Sequence, residues 1–295
     1  MAVTENTTTS QNFNIDASTI DFVTKFNENW DGLREIMGIM DPVRKIPGTK
    51  LKSYKVVITR GGGQPAEGDE VALSKSAVEE VAHKDLTLVA DRMRITAQAV
   101  EKYGAKIAVQ RVHEAFLNKI QGDVMDEFYE FLQTGELKGT EETFQMAVSM
   151  AVGSVKNKFK QMRLNYGNIA VFVNDLDAAR YLGAAQISTQ NQYGIEYLKN
   201  FLGAETMILS AEIPEGTVIA VPADNIILYY IDPGDDDFKE LGLQYYTGNG
   251  ETNLIGSARE AIYGRVSGDI HVLYGMTLWA EYLDAVAVYT ITPSA

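Results

Sequence analysis

A chain of 295 residues with 45% hydrophobic and 22% charged side chains has ordinary globular proportions and enough length for one large domain or two intimate ones. It has no cysteine, which excludes disulfides, thiol nucleophiles and thiolate metal sites. A formal net charge of -14 argues against a protein whose main work is gripping nucleic acid, because phosphate contacts need clustered Lys and Arg.

No stretch approaches the roughly 18 consecutive apolar residues of a membrane helix, and the first twenty residues lack the basic and apolar regions of a secretory signal. The expectation is a protein made and used in a cytoplasm. Residues 1–15, rich in Thr, Asn and Gln, read as an extended tail with little to bury. A helix follows, opened by Ser18 and Asp21 in a capping-box arrangement. Its apolar stripe is Ile20, Val23, Phe26, Trp30, Leu33 and Met37, and Gly38 is its stop.

Pro42, Pro47 and Pro65 frame an arm from 41 to about 90, with Gly61, Gly62 and Gly63 in its tip. The outgoing segment carries Leu51, Tyr54, Val56 and Ile58, an alternation that slips near Ser53 and predicts a bulge there. A strand of about a dozen residues reaches ~40 Å, too long to bury itself. The return is expected to hold a helical turn capped by Ser76 and Glu79, then a strand from Leu86 to Ile95.

From Thr96 the period becomes helical, first to Gly104 and then from Ala105 to Leu132. In the longer segment Val109, Val112, Phe116, Ile120, Val124, Phe128 and Leu132 keep one stripe. That helix would be about 42 Å long, with Gly122 a kink or close-packing point and Gly135 and Gly139 beyond its end. A further helix is predicted from Thr140 to about Leu164. Beyond it come the apolar strand Ile169 to Val173, a short helix from Asn174 to Gly183, and another helix from about Tyr193 to Leu202. Strands are expected at 206–209, 217–221, 226–231, 243–246, 261–266, 276–280 and 285–291, with the acidic loop DPGDDD at 232–237. The class is α+β, and no internal repeat is present.

No catalytic constellation stands out. His83, His113 and His271 are isolated, and Leu117 stands where an HExxH motif would need its second histidine. The triple glycine lacks the Lys-Ser or Lys-Thr of a phosphate loop. Asp235, Asp236 and Asp237 lack the spaced oxygens and bidentate glutamate of a calcium loop, and the adjacent Glu79 and Glu80 support no glycosidase reading. The expectation is therefore no catalytic residue, no metal and no cofactor.

Charge says more. Arg44, Lys45, Lys50, Lys52, Lys55 and Arg60 line the outgoing arm with no acidic residue among them, while Glu67, Asp69, Glu70, Glu79 and Glu80 face one lysine, Lys75, on the tip and return. Pairing across the hairpin is the plain explanation. The sharper one is that the arm, with Gly61, Gly62 and Gly63 at its tip, lies on a neighbouring subunit, where complementary charge sets register.

The order of elements resembles the major capsid proteins of tailed phages with the Hong Kong 97-type fold. The words that carry this are PGTKL at 47–51, AEGDEVALSKS at 66–76, LTLVADRMRITAQAVEKYG at 86–104 and GRVSGDIHVLYGMTLWAEYLDAVAVYTI at 264–291. The resemblance implies an arm and first helix at 1–40 and an extended loop at 41–85. It implies a peripheral domain with the spine helix at 86–139 and 236–275, and an axial domain at 140–235 and 276–295. It further implies self-assembly into pentamers and hexamers of an icosahedral shell around double-stranded DNA. A separate scaffolding protein, a portal and decoration proteins would be partners, with assembly in the host cytoplasm and residence in the virion. Some relatives cross-link a loop lysine to a neighbour's asparagine. Here Lys75 and Asn249 or Asn253 match by type only, and no cross-link is expected. An encapsulin shell of the same fold is the nearest alternative, and a soluble α+β enzyme the more distant one.

Overall fold

The computed structural model describes residues 17–59, 61, 73, 75–185, 187–248 and 252–292. The tail at 1–15 and most of the arm's tip lie outside them.

The first helix, α1 (Ala17–Met37), is already under way at Ala17, so Ser18 sits inside it and does not cap it. Phe22, Val23, Phe26, Trp30, Leu33 and Met37 are buried along one face, as their spacing requires, and Gly38 stops the helix at φ +71°. The two helices after the arm obey local rules equally well. Thr96 caps α2 (Ala97–Tyr103), its hydroxyl accepting from the Ala99 N–H, and Gly104 separates α2 from α3 (Ala105–Leu132) at φ +79°. The 28 residues of α3 run unbroken through Gly122. A methyl group there would meet nothing within 4 Å, so Gly122 is neither a break nor a close approach.

The next elements are β5 (Leu137–Glu141), α4 (Phe144–Met162), β6 (Ile169–Val173), α5 (Asp175–Ala185), β7 (Gln190–Gln192), β8 (Ile195–Phe201), β9 (Ala204–Leu209) and β10 (Thr217–Pro222). With the last strand, β15 (Ala287–Ile291), they form a seven-stranded sheet ordered β5-β15-β10-β6-β9-β8-β7. Its central strands are apolar on both faces because both faces are covered. Ala170, Phe172, Ile219 and Val221 point into the core made with α1 and α3, while Ile169, Val171, Val173, Val218 and Ala220 point into the core made with α4. Full burial of a side chain such as Phe172 contributes about 1.5–3 kcal/mol.

Three small sheets complete the fold. The arm strands β2 (Lys50–Thr59) and β3 (Lys75–Asp85) pair with each other; β4 (Val89–Thr96) joins β12 (Ile255–Ile262) and β13 (Ser267–Tyr274); and β1 (Val43–Arg44) joins β11 (Ile226–Tyr230) and β14 (Met276–Ala280). A one-turn helix, α6 (Asp236–Glu240), lies in the acidic loop.

Several expectations are corrected. The helix expected from Tyr193 to Leu202 is the strand β8, antiparallel to β9. Left-handed residues bracket it, Tyr193 and Gly194 before and Asn200, Leu202 and Gly203 near its end, so the backbone turns sharply at both ends and takes its hydrogen bonds from β9. The helix expected from Thr140 begins at Phe144, where Thr143 caps it by accepting from the Met146 N–H. Thr140 belongs to β5, which pairs in parallel with β15. Gly135 and Gly139 permit that approach, since a Cβ at either would come within 3 Å of Val286 or of the Tyr289 ring.

The turn expected at Ser76 and Glu79 is the continuous strand β3. Gly183 lies within α5, and β12 stops at Ile262, short of the predicted Val266, with 263–265 a single 3-10 turn. Residues 243–246 contribute only one bridge, Tyr246 to Ser257. The strand β13 was not foreseen, although it is the middle strand of its sheet.

Candidate inter-subunit surface

The arm strands pair from Lys50↔Asp85 to Thr59↔Lys75, with a register shift between Ser53 and Tyr54 where the alternation slips. No other strand joins this sheet among the described residues. Ten residues of β2 span roughly 33 Å, and a lone two-stranded hairpin is marginal in water unless something packs on it.

The root supplies the packing. Leu51 and Leu86 are buried with Ile231 and Trp279, and the Phe131 ring stacks on Trp279 with centroids 4.0 Å apart. The buried Ser53 hydroxyl donates to the Ala280 carbonyl at 2.6 Å. Lys84 donates to Thr277 Oγ1 at 3.0 Å and forms an ion pair with Glu127 of α3. Further bonds, Gly48 N–H to the Leu86 carbonyl and Leu86 N–H to the Thr49 carbonyl, close the base, where Gly48 has φ +77°.

The predicted contact residues fall into three groups. Arg44 and Lys45 belong to the base, on and just after β1. Arg44 binds Asp235 at 2.6 Å and lies 3.7 Å from Asp232, and this guanidinium holds the Asp235 carboxyl below its ordinary range. Lys45 lies 5.1 Å over the Tyr229 ring, and its N–H donates to the Tyr230 carbonyl.

Lys50, Lys52 and Lys55 lie on β2 opposite the acidic return. Lys52 pairs with Glu80 at 2.7 Å and pulls that carboxyl down, and the register sets Lys50 against Asp85 and Lys55 against Glu79. The charge asymmetry is thus answered, at least in part, within the hairpin. Gly61 is exposed, while Arg60, Gly62, Gly63, Glu67, Asp69 and Glu70 lie outside the described residues.

Exposed apolar side chains were not singled out in the sequence. Ile46 is 72% exposed at the arm's base and Leu73 94% exposed near its tip, and Tyr263 is 89% exposed on the β12–β13 turn. Their signal was there to read: large apolar residues set in otherwise polar or turn-like segments. Also missed was Asp269, whose side chain is fully buried beneath two cross-strand arginines. Arg94 holds it through two bonds of 2.7 and 2.8 Å, and Arg92 adds another.

The structure does not bring the three histidines together. His83 on β3 lies 3.5 Å from Glu80, His271 on β13 lies 3.3 Å from Glu260, and His113 is buried in α3 with its ring 4.8 Å from that of Phe22. Asp235 caps α6, bonding the Asp236 N–H. Of the cross-link candidates, Asn253 donates to Asp232 at 3.0 Å and Lys75 ends the described part of β3; Asn249 lies outside the described residues. No helix among the described residues is long and apolar enough to cross a membrane.

No protein-family model matches the sequence, and no curated protein resembles it closely enough to be found by sequence comparison. Solved structures do match. The capsid asymmetric unit of cyanophage A-1(L) superposes with a TM-score of 0.54 at 9% identity, covering 98% of this chain and 99% of that one. The capsid structure of cyanophage P-SCSP1u gives 0.52 at 8%, covering 88% of each. The chain has the phage capsid fold. The SrpI encapsulin complex of Synechococcus elongatus shares it, at a TM-score of 0.51 and 11% identity over 98% of this chain and 95% of that one. The mixed α+β class and the capsid-type fold read from the order of elements are therefore the observed ones.

Proposed function

We propose that this chain is a major capsid protein of a tailed phage, a non-enzymatic subunit that assembles as pentamers and hexamers into an icosahedral shell around double-stranded DNA. The observation that carries this reading is the pairing of the capsid fold, matched over nearly the full length of both chains, with an arm whose packing on the body, among the described residues, is at its root. A hairpin of this reach needs a second surface, and in a shell the neighbouring subunit provides one. The exposed Ile46 and Leu73 would be covered there.

In this reading residues 41–85 are the extended loop and α3 is the spine. The seven-stranded sheet is the body of an axial domain, and β4, β12 and β13 belong to a peripheral one. Scaffolding, portal and decoration proteins would be its partners, and the virion its place. An acidic subunit suits a wall that DNA fills without sticking.

Electron microscopy of the purified protein is the test. Shells, or rings of five or six subunits, are expected; a discrete small particle defeats the reading. An encapsulin shell is the second reading, favoured by the match to SrpI. Terminase and portal genes beside this one favour the phage, whereas a gene for a cargo enzyme favours the encapsulin.

A further inference from the structure

A cleft of about 490 Å³ opens beside the start of α1. One wall is the segment 243–248, which is held at two points. Tyr246 and Ser257 of β12 exchange two backbone hydrogen bonds of 2.9 Å, and Gly248, at φ +95°, sits against α1, where a Cβ would lie 3.4 Å from Val23 and 3.5 Å from Asn27. Thr19 of α1, Lys239 of α6 and the stretch 257–259 of β12 also line the cleft.

Three features of this lining suit an extended peptide. Its apolar part is Leu243, 43% exposed, with the rings of Tyr245 and Tyr246. Two hydroxyls in it, Thr19 Oγ1 and Ser257 Oγ, have no hydrogen-bond partner among the described residues, although the two side chains belong to residues only 3% and 1% exposed. A buried hydroxyl left in that state is costly, and a peptide backbone supplies both donors and acceptors. The charged side chains of the lining, Lys239 and Arg259, are both basic; Lys239 is shared with Asp236 at 2.9 Å.

Residues 1–16 lead into α1 at Ala17, two positions before Thr19, so the preceding chain starts out from this cleft. Between Thr4 and Asp16 its large apolar side chains are Phe13 and Ile15, a spacing that puts both on one side of any extended segment. The charged residues there, Glu5 and Asp16, are acidic. We propose that residues 11–16 dock in this cleft of their own chain, with Phe13 and Ile15 against Leu243 and the two tyrosines and their backbone bonding the Thr19 and Ser257 hydroxyls. Six residues reach roughly 20 Å from Ala17, enough to follow the cleft. The carboxylates of the segment complement the basic side chains of the lining. The contact does not rest on the shell reading, because both of its sides belong to one chain.

The chain has no cysteine, so an introduced pair can form one disulfide within it. The test compares two double variants of the full chain. One is Gln11→Cys with Gln244→Cys, an exposed position in the lining of the cleft; the other is Gln11→Cys with Lys25→Cys, exposed on the side of α1 away from Val23. Gln244 and Lys25 are both exposed, so neither substitution disturbs the core. After mild oxidation at high dilution, peptide mapping measures how fast each disulfide forms. The disulfide to position 244 is expected to form about tenfold faster or more than that to position 25, because docking raises the local concentration of one thiol at the other. Adding Phe13→Asp and Ile15→Asp to the first pair should remove the preference. Equal rates in the two pairs, disulfides that join different chains, or a preference that survives the two aspartates would each overturn the proposal.

Discussion

The Ser53 hydroxyl donates a 2.6 Å hydrogen bond to the carbonyl of Ala280 at the point where the register of the arm shifts. It ties the arm to β14 from a buried position, beside the bulge in β2. Ser53→Ala leaves that carbonyl with one partner fewer in a dry site and should cost about 1–3 kcal/mol. Calorimetry should show a midpoint lowered by a few degrees, and hydrogen exchange should rise at 50–53 and 83–86.

Asp269 should carry much of the acid sensitivity of the β4–β13 pair. Arg94, then Arg92, holds its carboxyl well below the ordinary value of 3.8, although burial opposes them. A carboxyl depressed in the folded state stabilises fully above its unfolded value, and that contribution fades as pH falls toward the folded one. Asp269→Asn should therefore lower stability at pH 7 and make the acid unfolding curve shallower. Chemical denaturation at pH 7 and pH 2.5 measures both.

Glycine substitutions should have opposite signs at two sites. Gly135→Ala would push a methyl group to 2.7 Å from the Val286 carbonyl, so about 1–3 kcal/mol of destabilisation is expected. Gly122→Ala adds a methyl group to open space in the middle of α3 and should stabilise by about 0.5–1 kcal/mol. Thermal midpoints of the two variants should move in opposite directions.

Charge reversal at the arm's tip tests the partner contact. Glu67, Asp69 and Glu70 changed together to Lys should leave the fold and midpoint of the isolated subunit nearly unchanged while blocking assembly. Sedimentation at low salt reads the outcome, and normal particles from the triple variant would remove the electrostatic role of the tip.

Covalent cross-linking is not expected, since Asn253 already bonds Asp232 within the chain. Boiled particles should run as a single band on a denaturing gel.

Much was legible in the sequence where structure is local. The bounds of α3 and β6, the stripe of α1, the bulge at Ser53 and the stop at Gly38 follow from side-chain period and from which backbones tolerate which residues. Only the tertiary structure decided that residues 195–201 form a strand, because β9 supplies their hydrogen bonds and the left-handed residues at either end do not announce themselves. It also decided that β13 lies between β4 and β12, that β15 returns to lie beside β5, and that Arg44 meets Asp235 191 residues away. The sequence fixes what each segment prefers over a few turns or pleats. Which distant segment satisfies its backbone and its charges depends on the packing of the whole chain.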